Sequence, residues 1–433
     1  MTDLALVPPP VPPPPIPAPP PVLPPPVPPR LAATGRFTGR LPAFRRIMLR
    51  GALLLAGTLG IYRFWLTTDA RRFLWANTDI GGDSLEYSGT AMELFLGFLI
   101  AIALLVPVYV LLFVGSLELG LLSQLSSIGA FAFLAVFGQY AYYRARRYRL
   151  TRTIFRGIRF HQSGSAFAYA LRSLLWGTLT ALTLGLTYPW AQASLERYKL
   201  AHTHFGGWTG KFAGTGSRLF VRGIALWLLL VAATVVFGIA VSQFVDQDAL
   251  ARATKPGADG REISIAVLTL TGLSFAVMAI AAGVYITLQA IVMRWWLEGV
   301  HIGPLAVATT LRKRSIIGAY LRFFLYASLL VIGVSLAVLL AVGVAIESAP
   351  VLKVPADVGE LVGWATGVVV YLVMVLGVWV LHQTTVKLRL WWLAVDSISI
   401  AGFEAITKVR ADARRPGSAV GERRADALHA GGM

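Results

Sequence analysis

The chain has 433 residues, 56% of them apolar and only 14% charged, and it contains no cysteine. Soluble domains average about 25% charged residues, so water is not the main solvent of this fold. The lack of cysteine excludes disulfides, thiolate catalysis, Cys-ligated zinc and iron–sulfur clusters. The formal charge of +18 lies in short stretches between apolar runs, the pattern of membrane orientation and not of a nucleic-acid-binding face.

In chain order, residues 1–30 come first, with 16 prolines between Pro8 and Pro29. Proline fixes φ and lacks an amide donor, so this tail reads as polyproline II or disorder and not as a signal helix. It is either a docking arm for a protein partner or a spacer. A basic stretch from Arg30 to Arg50 follows. Apolar segments then fall at 49–66, 92–115, 119–143, 166–190, 219–245, 263–293, 316–346 and 361–382. Runs of about 20 apolar residues cross a bilayer as helices, because a helix satisfies its own backbone hydrogen bonds. The short patch Leu390–Val395 extends the last of them. The expected fold class is all-α, a polytopic helical membrane protein.

Charge bears on how many of the eight segments cross, six or eight, and both counts stay open. Seven arginines and no acid lie between Arg144 and Arg159. Eight full crossings would put this linker on the opposite side from the basic N- and C-terminal stretches. Parity is restored if 49–66 and 166–190 are re-entrant, broken or interfacial, leaving six full spans in three hairpins, 92–143, 219–293 and 316–382. The turns of these hairpins carry Glu118, a 246–262 loop with four acids against three bases, and Glu347, Lys353, Asp357 and Glu360. None is basic on balance, as suits loops on the far side. All basic linkers and both termini are then expected in the cytoplasm, with the chain in the inner membrane of a bacterium.

A repeat recurs at a constant offset of 125 residues. Thr58-Leu59-Gly60 with Trp65 returns as Thr183-Leu184-Gly185 with Trp190. Gly81-Gly82 returns as Gly206-Gly207, and Gly89-Thr90 as Gly214-Thr215. Weaker echoes begin at Arg294-Trp295-Trp296 and at Arg389 with Trp391-Trp392. The expected organisation is a tail at 1–30, membrane repeats at 31–143 and 144–293, C-terminal membrane helices with degenerate echoes at 294–395, and a cytoplasmic tail at 396–433.

At the Thr-Leu-Gly-x4-Trp element the chain resembles the YjgN-like family of bacterial multi-pass inner-membrane proteins. Its residues for that pattern are Phe37 and Gly39, Thr58-Leu59-Gly60-Ile61-Tyr62, Trp65, Arg71-Arg72-Phe73, Gly81-Gly82 and Tyr87-Ser88-Gly89-Thr90. The ending Gly421-Glu422 and Ala425-Asp426-Ala427-Leu428 also resembles the family, while the proline tail, Thr187 and His429 depart from it. The resemblance implies a membrane location and transfers no catalytic residue, because the family's function is uncharacterised.

Candidate chemistry is sparse. His202 and His204, with His161, would need a further ligand to hold a metal, and a polar loop explains them better. The many tryptophans beside Arg or Lys, Trp65 and Trp190 among them, suit headgroup anchoring. A charge at the hydrocarbon centre costs at least ~2.5 kcal/mol on insertion scales, which makes Arg172 and Gln289 the candidates for an internal polar site. Gly81-Gly82 and Gly206-Gly207 lack P-loop and GxGxxG spacing and read as turns. No catalytic, cofactor or metal site is expected; the partners are membrane lipids and a protein bound by the tail, not nucleic acid. The leading function is a transporter- or channel-like membrane protein. A non-enzymatic scaffold for a protein or lipid headgroups and a lipid-acting enzyme stay open.

Overall fold

The computed structural model describes residues 32–117, 121–248, 260–352 and 355–409. The proline-rich stretch 1–30, Glu118, Lys353, the 249–259 part of the acidic loop and the family-like ending Gly421–His429 lie outside the described residues.

Five units follow one another, each written strand, helix, helix, strand. The first is β1 (Ala33–Phe37), α1 (Leu41–Gly57), α2 (Arg63–Ala76) and β2 (Thr78–Ile80). The second is β3 (Asp83–Tyr87), α3 (Ala91–Ser116), α4 (Leu121–Thr151) and β4 (Thr153–Phe155). The third is β5 (Ile158–Gln162), α5 (Ala166–Leu182), α6 (Tyr188–Ala201) and β6 (Thr203–Phe205). The fourth is β7 (Trp208–Phe212), α7 (Gly216–Phe244), α8 (Gly260–Gly299) and β8 (Val300–Ile302). The fifth is β9 (Leu305–Thr309), α9 (Lys313–Leu352), α10 (Ala356–Leu381), a π-helical segment (His382–Lys387), α11 (Leu388–Ser397) and β10 (Ile398–Ala401). The long apolar helices make the protein predominantly helical, as expected. Ten strands of three to five residues, too short to stand out as periodic runs in so apolar a chain, accompany the helices and leave the all-α reading roughly intact.

Every strand pairs antiparallel with its neighbours, and β1 pairs with both β2 and β10, so the ten strands close into a ring. Closure leaves no unpaired strand edge. Two-residue turns join β2 to β3, β4 to β5, β6 to β7 and β8 to β9. Gly81, Gly82, Arg156, Gly157, Gly206 and Gly303 in these turns have positive φ, as the tight hairpins matched to strand twist require. The Gly-Gly pairs of the repeat are thus hairpin turns. Within the strands, Thr34, Arg36, Ser84, Glu86, Arg159, His161, Thr209 and Lys211 are exposed and alternate with inward residues. Ile80, Phe155, Phe205, Ile302 and Ile400, the third residue of each short strand, meet in one apolar core with Ile406 of a 3₁₀ turn, Phe403–Lys408.

Antiparallel pairing has a topological consequence. All odd strands run toward the same rim and enter a helix there, and all even strands leave it. Hence the five helical hairpins spring from one rim, while the tight turns and both ends of the described chain lie at the other. Each helix packs on the next along the chain and α10 packs on α1, so the helices also close a ring.

Among the described residues six helices are long and apolar enough to cross a membrane: Ala91–Ser116, Ser123–Thr151, Gly216–Phe244, Ile263–Gly299, Lys313–Ala345 and Asp357–Ser397. The first and third hairpins are different. Their helices have 17 and 14 residues, about 26 and 21 Å at 1.5 Å per residue, short of the ~30 Å hydrocarbon core. Thr-Leu-Gly makes the tip of both. Thr58 Oγ1 donates to Leu54 O (2.6 Å) and accepts from Tyr62 N (3.0 Å), and Gly60 N bonds Leu55 O (2.9 Å). Thr183 and Gly185 repeat this with Leu179 O (2.8 Å) and Thr180 O (2.7 Å). Leu59 and Leu184 have φ near +50 and are 95% and 81% exposed. A tip that satisfies its own polar groups and presents a leucine outward suits lipid and not water.

Two outcomes follow. Single cysteines replacing Asp83 and Gly157 at the turn rim should be labelled by an impermeant maleimide from one face of the membrane, and one replacing Gln247 in the α7–α8 connection from the other. Gly210→Val places a methyl-bearing carbon 2.6 Å from Leu200 O and should cost about 2 kcal/mol by overpacking, read from thermal unfolding in detergent.

Candidate functional site

The junction between ring and helices is built from repeated contacts. An aromatic ring lies over the glycine two residues on: Phe37 over Gly39, Tyr87 over Gly89, Phe212 over Gly214. The next residue caps a helix in the second, third and fourth units, where Thr90, Ser165 and Thr215 accept from Glu93 N, Ala168 N and Arg218 N. Arg72, Arg147 and Arg197, each six residues before a short strand, donate to the carbonyls of Gly89, Gly164 and Gly214. These arginines are tied to backbone and hold adjacent units together.

A different set sits four, seven and eleven residues before each short strand, a spacing that keeps one helix face. From α2 it comprises Thr67, Arg71 and Leu74, and from α4 Tyr142, Arg146 and Arg149. From α6 come Gln192, Glu196 and Lys199, from α8 Gln289, Met293 and Trp296, and from the last unit Lys387, Trp391 and Ala394. Contacts run from one unit to the next. Trp391 Nε1 donates to Thr78 Oγ1 (3.0 Å), Trp75 Nε1 to Thr153 Oγ1 (3.0 Å), and an Arg146 guanidinium nitrogen to Thr203 Oγ1 (3.3 Å). Trp75 and Trp391 stack at 5.1 Å. Trp296 Nε1 reaches Glu196 Oε2 (2.9 Å), whose other oxygen accepts from Lys199 Nζ (2.5 Å).

The layer is strongly cationic. Arg71, Glu196 and Lys199 are 6%, 8% and 6% exposed. Arg71 donates to Tyr87 Oη (2.8 Å), and Lys199 Nζ lies 5.5 Å from the Tyr142 ring. Arg149 is within electrostatic reach of Arg71 and Arg146, and Lys387 of Arg71 and Arg149. Five cations share the layer with one carboxylate, Glu196, among the described residues. Lys387 and Tyr142 stay exposed. Arg146 Nε is buried without an acceptor, and Gln162, opposite Thr203 in the ring, is 1% exposed, near the Tyr143 hydroxyl but with neither side-chain polar atom in a well-formed hydrogen bond.

The sequence candidates are placed as follows. Gln289 occupies the deepest position of this face on α8, half-buried and with no side-chain hydrogen bond among the described residues. Arg172 is exposed on α5, its guanidinium 4.7 Å from the Tyr198 ring. The two do not sit as one internal site. His161 and His204 pair across β5 and β6 with rings 6.2 Å apart, and His204 bonds Ser163 and Thr209. His202 Nδ1 meets Tyr198 O (2.7 Å). No metal-holding group occurs among the described residues. Trp65 and Trp190 pack on Phe95 and Phe220 of the following long hairpins, at 6.0 and 5.0 Å.

Arg146, Arg149, Lys199 and Lys387 were not among the sequence candidates. The two arginines lie inside the Arg144–Arg159 run, where a count of charge sees anchoring. Only the spacing to Thr153, matched against Thr78 and Thr203, separates those facing the axis from those bonded to backbone.

Six apolar helices rising from a strand ring define a multi-pass membrane protein. The chain belongs to a bacterial protein family of unknown function, DUF898, whose pattern matches residues 32–427. No curated protein and no solved structure matches it.

Glu196→Ala leaves Lys199 and the Trp296 indole without their acceptor in a buried place. It should lower stability by about 3 kcal/mol. Asp83→Ala, which breaks the half-exposed pair with Arg156, should cost no more than about 1 kcal/mol; thermal unfolding of the two variants side by side checks the contrast.

Proposed function

We propose that this protein resides in the bacterial inner membrane with the strand ring and both termini in the cytoplasm, and that it passes a small solute along the axis of its helix ring without catalysing a reaction. The observation that carries the reading is the polar layer, partly open at Lys387 and Tyr142, where the helices converge on the ring. A scaffold needs no buried charge there, and taking ions out of water costs several kcal/mol each unless something repays it. The seven arginines of the 144–159 stretch gather at the ring, and acids predominate in the far loops, which supports a cytoplasmic ring. The outward face of the strands is exposed and hydrophilic, fitting an aqueous compartment.

The first and third hairpins support the same reading. Too short to cross, they leave the far half of the helix ring to the three long hairpins, an arrangement that would let a solute or lipid reach the axis between them. Broken, half-length helices around a polar centre are a recurrent arrangement in transport proteins.

Proteoliposomes holding the purified chain should show solute flux that protein-free liposomes lack. Replacement of Lys387 by Gln should reduce it several-fold, with Gln289→Leu giving a smaller loss. Absence of flux for anionic, neutral and cationic solutes alike would contradict conduction and leave the scaffold reading.

A further inference from the structure

The axial layer is unusual in what it lacks. Carboxylates near the ring are engaged at its periphery: Glu93 with Arg152 and Tyr148, Glu298 with Arg222 and Arg294, Asp83 with Arg156, and Asp396 with Phe37 N and Trp392. Glu196 is the carboxylate that enters the layer, and it is bonded to Lys199. Like charges gathered in one partly buried layer repel, and the repulsion is relieved by a counter-ion of opposite and multiple charge. Guanidinium groups offer planar, paired donors that match the oxygens of phosphate.

A second observation points the same way. Gln162 takes the strand position held by Phe37, Tyr87 and Phe212 in other units, where an aromatic ring covers glycine. In its place an amide is buried beside the Arg146–Thr203 contact, close enough to the Tyr143 hydroxyl to interact with it but with neither polar atom in a well-formed hydrogen bond. An unmatched buried amide is costly, and a bound oxyanion would accept from it.

We propose that the axial layer binds an oxyanion of the phosphate class, lined by Arg146, Arg149, Lys199 and Lys387, with the Gln162 amide as a neutral donor. The phosphoryl group belongs either to a free solute or to an anionic lipid headgroup entering from the bilayer. The inference deepens the conduction reading by naming its substrate class. The cations close the polar axis to other cations by repulsion.

The test uses the full chain in phosphatidylcholine nanodiscs, titrated calorimetrically with inorganic phosphate at constant ionic strength set by chloride. Saturable binding is expected, with sulfate competing. Loss of one charge-assisted contact is worth about ten-fold or more in affinity, so Lys387→Gln and Arg149→Gln should each weaken binding that much. Arg159→Gln, on the outward face of the ring, should leave it unchanged. Lys387 is exposed, so its variant carries the test should Arg149→Gln fail to fold.

A parallel arm replaces part of the phosphatidylcholine with phosphatidylglycerol. Stabilisation by that lipid, lost in Lys387→Gln and without any response to inorganic phosphate, assigns the same site to a headgroup. No response to either, or a response that both variants keep, overturns the proposal. Binding without flux would sink conduction and leave the anion site standing; flux of uncharged solutes with no anion binding would sink the anion site alone.

Discussion

Closure of ten short strands by backbone hydrogen bonds is the constraint from which the rest of this architecture follows. Strands of three to five residues are not stable singly or in isolated hairpins. Each here has two antiparallel partners, and an apolar plug of Phe155, Phe205, Ile400 and Ile406 fills the inside. Because the strands alternate in direction around a closed circle, helices can leave only at one rim. An even number of crossings with both described ends on the ring's side is a result of that geometry, and helix length then sets the number at six among the described residues.

The helices answer a separate demand. Hydrocarbon offers no hydrogen-bond partners, so any chain reversal inside it must satisfy its own backbone. Thr-Leu-Gly does this in the two short hairpins, threonine bonding forward and back while glycine takes the left-handed conformation that closes the turn. The long hairpins reverse beyond the apolar stretches. Short and long hairpins alternate through the first four units, and the polar side chains concentrate where the second helices meet the ring.

Much of this was legible in the sequence, for identifiable reasons. Apolar runs of membrane length and the position of arginines indicated six spans, and parity singled out 49–66 and 166–190 as different. Both are helix–turn–helix elements broken at Gly60 and Gly185. The ring was not legible. Thr78-Asp79-Ile80 or Thr203-His204-Phe205 is too short for an alternating pattern, and their strand character is set by one partner across a two-residue turn and another about 40 to 45 residues back along the chain. The second unit escaped notice because Thr153-Ile154-Phe155-Arg156-Gly157 has arginine where Gly81 and Gly206 stand. Arg172 drew attention as a charge inside an apolar run, yet it lies on the outside over Tyr198. Arg149 and Lys387 looked like anchors because their direction depends on helix phase relative to strands that the sequence did not reveal.

Ring closure is tested most directly by an engineered disulfide between its first and last strands. Thr34 and Ser399 are direct partners across β1 and β10, at a separation that antiparallel pairing sets within disulfide reach, and the protein has no cysteine of its own to compete. A chain carrying Thr34→Cys and Ser399→Cys should form an intramolecular crosslink under mild oxidation in native membranes, seen as a reducible mobility shift of the monomer. A chain that forms no such bond, or only bonds between molecules, while both cysteines react freely with maleimide, would contradict the closed ring.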